Sequence, residues 1–320
     1  MNRHAFLQRA GILIKLIAVP VFLGFVAAKL LNDPHLRLFR INPALLFAAL
    51  VVNQVALCLF AMRMRLVLRV FAIRISYFQS LRIHLQSMLY YFVVPMTVGL
   101  EAARFAKIKN KLGDKVNAAN LGSALVGDRL IGAVAAAIWA VALLPIISVH
   151  LVMHRDWNVA VAVVAAVCAA GVLLVLLHGR VRLYAGELIR LFRSGQSMLY
   201  LSLLVALLTH LFFSLAVYLA VRGADLQITF MQTLFAISSA MLFIVIPVSF
   251  AGVSPAEAAG VGVLVGIGIS LEQATIFALL AYFARLIAAL EGGIWELFEG
   301  SRDAWRHLVS HVRSGRSNYE

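Results

Sequence analysis

Charge is what this sequence has least of. Asp, Glu, Lys and Arg supply 13% of its 320 residues, against about 25% in an ordinary soluble domain. Apolar residues supply 63%, and a soluble fold cannot hide so much apolar surface, because much of its exterior stays wet. That imbalance excludes a soluble enzyme, a secreted disulfide domain and a disordered binder, and leaves the bilayer as solvent. Cysteine is equally scarce. Cys58 and Cys168 each sit inside an apolar run and suggest no disulfide or metal framework. There is no HExxH, no P-loop and no Cys/His ligand spacing, so no cofactor, metal or ATP site is expected. Acids are few, 14 against 28 basic residues, for a net charge of +14. In a soluble domain that excess points to nucleic acid. In a membrane chain it is read first as topology, and nucleic acid is not an expected partner.

Apolar runs recur at roughly 11–31, 43–62, 76–94, 118–147, 158–177, 198–221, 228–246 and 274–290. About 20 helical residues cross a hydrocarbon core of about 30 Å. Two of the runs do not read as simple spans. Run 76–94 carries Arg82, His84 and Gln86 and stops at Pro95. Run 228–246 stops at Pro247, before a Gly- and Ala-rich stretch containing Gly252. Proline and clustered glycine inside apolar sequence mark broken helices. The first run contains Lys15 and shows no small-residue cleavage site, so it is expected to be a span rather than a cleaved signal peptide.

Lys and Arg orient the chain by the positive-inside rule. With the N-terminus cytoplasmic, 19 fall on cytoplasmic segments, in clusters at 3–9, 63–74, 104–115, 180–193 and 302–316, and 5 on the opposite side. The clusters at 63–74 and 104–115 both belong in the cytoplasm, yet run 76–94 lies between them. A re-entrant hairpin turning at Pro95–Gly99 reconciles them, and 228–268 forms a second hairpin entering from outside. The predicted fold is therefore all-α and integral to the membrane. It has six full crossings and two re-entrant broken-helix hairpins, with both termini in the cytoplasm of a bacterial inner membrane.

The hairpins are read as inverted repeats. At an offset of 156, Glu101-Ala102-Ala103 matches Glu257-Ala258-Ala259, and 28 residues after each glutamate comes Arg-Leu-Ile, at 129–131 and 285–287. A proline and a glycine precede each glutamate: Pro95 and Gly99, then Pro247 and Gly252. Seven of 31 aligned positions are identical. Basic residues follow the first glutamate and none occupy the equivalent positions after the second, as expected of copies facing opposite sides. The whole chain, 1–320, reads as one polytopic domain. A first repeat covers 43–147 with its hairpin at 76–110. A linker crossing and amphipathic segment cover 148–197. A second repeat covers 198–298 with its hairpin at 228–268, and a basic tail covers 299–320.

Charges inside hydrocarbon are retained when they are paired or functional. The candidate substrate-binding residues are Glu101, Arg104, Asp128, Arg129, Glu257 and Arg285. Adjacent Asp128 and Arg129 diverge by about 100° on a helix and need separate partners. The economical arrangement pairs Glu101 with Arg129 and Glu257 with Arg285. Two uses follow. Either the pairs pin broken helices in place, or the arginines hold an anionic headgroup, since guanidinium forks phosphate oxygens. His84 and His210 lie in apolar runs and read as core histidines. Asp33, Asp156 and Asp225 stand apart, without the metal-binding acidic pair of a lipid-carrier glycosyltransferase.

VVPMTVGLEAAR at 93–104, GDRLIG at 127–132, IPVSFAGVSPAEAA at 246–259 and ARLI at 284–287 together resemble the flippase-like membrane domain family. This is the family of the membrane region of lysylphosphatidylglycerol synthase. Where the family often has an arginine between the proline and glycine, this chain has Met96-Thr97-Val98. The resemblance implies movement of aminoacylated phospholipids between leaflets, or a place in lipid-linked glycan and other envelope-lipid pathways. The aminoacyl-transfer domain of the synthases has no counterpart in these residues, so lipid aminoacylation is not expected of them. Taken together, the sequence reads as transporter-like rather than enzymatic. It is expected to flip an anionic phospholipid or lipid-linked envelope precursor through a charged cavity in mid-membrane. The alternative is a membrane-embedded enzyme or accessory subunit of envelope lipid or glycan biosynthesis. The expected partner is a membrane lipid, with room for a lipid-synthesis enzyme; the oligomeric state is left open.

Overall fold

The computed structural model describes residues 42–93, 98–151, 197–243 and 254–316, which are helical with no strand among them. In chain order the helices are α1 (Pro43–Val70), α2 (Tyr77–Val93), α3 (Val98–Leu112), α4 (Ala118–Leu151), α5 (Ser197–Gly223), α6 (Phe230–Leu242), α7 (Pro255–Gly266) and α8 (Leu271–Arg316). Four of them contain segments long and apolar enough to cross a membrane: 43–70, 118–147, 197–223 and 271–299. The described residues thus form an all-helical fold with four segments able to cross a membrane by length and composition. The runs at 11–31 and 158–177, the amphipathic segment 180–193 and the turn residues Pro95, Pro247 and Gly252 lie outside the described residues. The remaining runs coincide with α1, α2, α4, α5, α6 and α8, the shortest being α6.

Local sequence explains where these helices begin and end. Asn42 accepts from the amides of Ala44 and Leu45 and Pro43 takes the first turn, so α1 opens with its orphan donors satisfied. Thr229 with Gln232 starts α6, and Ser254 with Glu257 starts α7, each as a reciprocal capping box. Gly113, at φ +58, ends α3, where Lys109 Nζ donates to the Gly113 and Val116 carbonyls, 2.9 Å each.

α1 and α5 share the most extensive contact. The Asn42 amide donates to the Gly223 carbonyl at 2.8 Å, joining the start of one to the end of the other, so they run antiparallel. α2 and α3 pack on each other and α2 also lies along α8, while α6 and α7 pack on each other against α4, α5 and α8. One apolar core, around Met64, Leu68, Ile108 and Leu121, anchors α3 to α1 and α4. Another, around Phe235, Leu264 and Phe277, anchors α6 and α7. The α2–α8 crossing is close because Gly292 has no side chain: a Cβ there would stand 1.9 Å from the Leu85 carbonyl oxygen. Outward positions such as Phe47, Val141 and Leu204 remain large and apolar, as lipid-facing positions do.

Candidate functional site

Between the two cores the polar side chains converge. α1 supplies Asn53 and Arg63, α2 His84 and Tyr91, α3 Glu101 and Arg104, α4 Asp128 and Arg129, α5 His210, and α8 Arg285. All of them line one cavity of about 140 Å³, together with Phe60, Met88, Leu100, Phe213 and Met241. Glu257, on α7, reaches it through Arg285. The structure thus brings all six candidate binding residues together. Gly99, buried in the first turn of α3, stands two positions before Glu101.

Glu101 Oε1 lies 3.6 Å from Arg129 Nε and 3.4 Å from Arg104 Nη1, and Arg285 bonds Glu257, so both economical pairs are present. The charges are nevertheless unequally held. Asp128 takes a two-pronged bond from Arg63, Nε to Oδ1 at 2.7 Å and Nη2 to Oδ2 at 3.0 Å, with both side chains buried. Its Oδ2 also lies 3.4 Å from Arg104 Nη1. Arg104, 4% exposed, extends its other Nη to His84 Nδ1 at 2.7 Å. An arginine only donates, so Nδ1 accepts and the ring proton sits on His84 Nε2. That atom is buried and finds no partner among the described residues. His210 Nε2 donates to the Gly132 carbonyl at 3.1 Å. Gly132 is needed twice, since a Cβ there would stand 2.9 Å from Arg63 Nη1.

Arg63 and Arg104 belong to the charges read for topology. Both are counted on cytoplasmic segments, and both are buried in this network. Sequence reasoning missed Arg63 because run 43–62 ends just before the charge. A signal was present: Ala49, Asn53, Ala56, Phe60, Arg63 and Val67 recur at three- and four-residue spacing and form one helical stripe. His84 and His210 are buried, as expected of core histidines, but both line the cavity.

Four arginines (Arg63, Arg104, Arg129, Arg285) face three carboxylates (Glu101, Asp128, Glu257) at this site. Among the described residues the arginines of the site outnumber its carboxylates by one. Polar atoms without partners among the described residues include Asn53 Oδ1, His84 Nε2, Tyr91 Oη, Glu101 Oε2 and Arg285 Nε. Buried polar groups left unpaired cost about 1–3 kcal/mol each, and so many around one cavity make it suited to a polar occupant. No cluster of three metal-binding side chains occurs among the described residues.

The family described as the lysylphosphatidylglycerol synthase TM region matches residues 12–291. This chain belongs to that family. The match takes in every residue that lines the cavity and, with the four apolar segments, makes the chain a multi-pass membrane protein. Neither the curated proteins nor the solved structures gave a significant match.

Proposed function

We propose that this chain moves an anionic phospholipid or lipid-linked envelope precursor between the leaflets of a bacterial inner membrane. The headgroup passes through the charged cavity while the acyl tails stay in lipid. The observation that carries this reading is the cavity itself: a net-positive, incompletely bonded polar site built from both halves of an otherwise apolar helical bundle. Membership of a lipid-synthase membrane family supports it. Arg104 and Arg129, which share Glu101, contact the phosphate, while Glu257 holds Arg285 and Asp128 holds Arg63.

The same reading takes α2 with α3, and α6 with α7, as re-entrant hairpins of two inverted repeats, 43–147 and 198–298, within six crossings. The helices of these pairs have 17, 15, 13 and 12 residues, short of the about 20 needed to cross. Residues 104–115 then face the cytoplasm, as both termini do, and Asn110→Cys is protected from impermeant thiol reagents in sealed cells. External labelling there overturns the first hairpin.

Purified protein in vesicles containing fluorescent phosphatidylglycerol tests the activity. Leaflet exchange should rise above that of empty vesicles and fall in Arg129→Gln and Glu101→Gln. The double variant should lose less than the sum if the two residues are coupled. Full exchange in both single variants removes these residues from the mechanism.

A further inference from the structure

The two glutamates of the site are bonded in different ways, and the difference assigns them different work. Glu257 has no spare oxygen. Its Oε2 accepts from the Ser254 amide at 2.5 Å and the Ser254 hydroxyl at 2.7 Å, closing the cap of α7, and its Oε1 takes the Arg285 guanidinium. Asp128 is likewise saturated by Arg63. Glu101 is not. Its Oε1 alone faces Arg104 at 3.4 Å and Arg129 at 3.6 Å, both long for charge-assisted bonds, and its Oε2 is buried without a donor among the described residues.

We infer that Glu101 is an exchangeable counter-ion: the phosphate of the incoming headgroup takes its place on Arg104 and Arg129. This rests on the flippase reading and names the step at which the headgroup is gripped. Both arginines reach the same carboxylate oxygen, so they stand close enough for one phosphate to bridge them. A lipid phosphodiester offers two charged oxygens, one to each guanidinium fork, where Glu101 offers both forks the same oxygen at long range. Arg129, with 30% of its side chain exposed, meets the anion first, and Arg104, at 5%, receives it second. Arg63 and Arg285 stay with their own carboxylates and act as fixed walls. When the phosphate leaves, Glu101 returns and closes the charge balance. The empty site therefore keeps the Glu101 carboxylate on both guanidinium groups. The carboxylate that weakens binding thus also drives release.

The test separates affinity from turnover. Full-length protein in detergent is titrated with dihexanoyl phosphatidylglycerol, and separately with inorganic phosphate, by calorimetry. Glu101→Gln should bind the lipid about tenfold tighter than the unmodified chain, the scale of one recovered charge-assisted contact, while its leaflet exchange in vesicles slows. Glu101→Ala is the second variant and should tighten binding likewise if Glu101→Gln does not fold. Glu101→Asp keeps the charge and should not tighten binding. Tightening for both probes supports the exchange, and tightening for inorganic phosphate alone overturns a lipid headgroup as the occupant. If Glu101→Gln and Glu101→Ala bind no tighter while Arg104→Gln and Arg129→Gln bind at least about tenfold weaker, the exchange is overturned and the anion site stands. If none of these substitutions alters lipid binding, the flippase reading falls with it.

Discussion

The first half of the cavity and the second use one sequence pattern, a glutamate followed 28 residues later by an arginine, and reach different chemistry. On α7 and α8 the pair is a closed strut, with Glu257 fastened at once to Arg285 and to the helix cap. On α3 and α4 the glutamate is one loose member of a network that also takes in Arg63 from α1 and His84 from α2. Spacing fixes which residues meet. The neighbours that arrive from other helices decide whether the meeting is rigid. Matching positions in two halves of a chain therefore need not share a role.

The largest way to break this contrast is to strip the first half of its anchor. Asp128→Asn leaves the Arg63 guanidinium buried without a counter-charge, which should destabilise the protein by about 3–5 kcal/mol. Thermal unfolding in detergent reads the loss. Replacing both residues by apolar ones, Arg63→Met with Asp128→Leu, should recover most of the stability and none of the transport. If Asp128→Asn alone melts like the unmodified protein, the pair is not a structural anchor.

Next comes the docking of the two short helix pairs. Gly292→Ala sets a methyl 1.9 Å from the Leu85 carbonyl oxygen, so α8 and α2 must separate, at a cost of about 1–3 kcal/mol. Gly260→Ala on α7 meets only the Ala240 methyl, at 3.6 Å, and should stay within about 1 kcal/mol of the parent. Equal melting temperatures for the two variants would remove the asymmetry.

Smaller again is the cap of the strut. Ser254→Ala removes the hydroxyl that accepts from the Ala256 amide and donates to Glu257, for about 1 kcal/mol. It also loosens Glu257, so it should make the second half behave more like the first, measurable as faster amide exchange over residues 255–260. The least effect belongs to Lys107, which bridges Glu296 at 2.7 Å and Glu299 at 3.6 Å from partly exposed positions. Lys107→Met should cost at most about 1 kcal/mol, and a larger loss on chemical unfolding would mean that this bridge holds α3 to α8.

The spanning helices were legible in the sequence because hydrocarbon imposes length and apolarity directly. Their charged extensions were not. Run 43–62 stopped at the first arginine, yet α1 continues to Val70, because Arg63 is neutralised by Asp128 and Arg65 donates to the Ile75 carbonyl at 3.2 Å. A one-dimensional reading treats each charge as a stop or a side marker, and it cannot see a partner 65 residues away. The pairing of Glu101 with Arg129 and of Glu257 with Arg285 was legible, since each charge in hydrocarbon needs an opposite. The inequality between the pairs was not, because it depends on Ser254 closing a cap and on His84 presenting a lone pair to Arg104.

Helix α8 carries a mechanical consequence. It runs unbroken for 46 residues, from Leu271 to Arg316, so its contour is roughly 69 Å, more than twice the hydrocarbon thickness of about 30 Å. Gly292 holds it against α2 near the middle, and the 24 residues beyond that contact make a rod of roughly 36 Å. Such a rod works as a pointer. If α2 rocks by about 5° and α8 follows, the tip travels about 3 Å, far more than any atom beside the cavity. A spin label near Arg313 would turn a motion too small to follow at the headgroup into a distance change that can be read outside the bilayer.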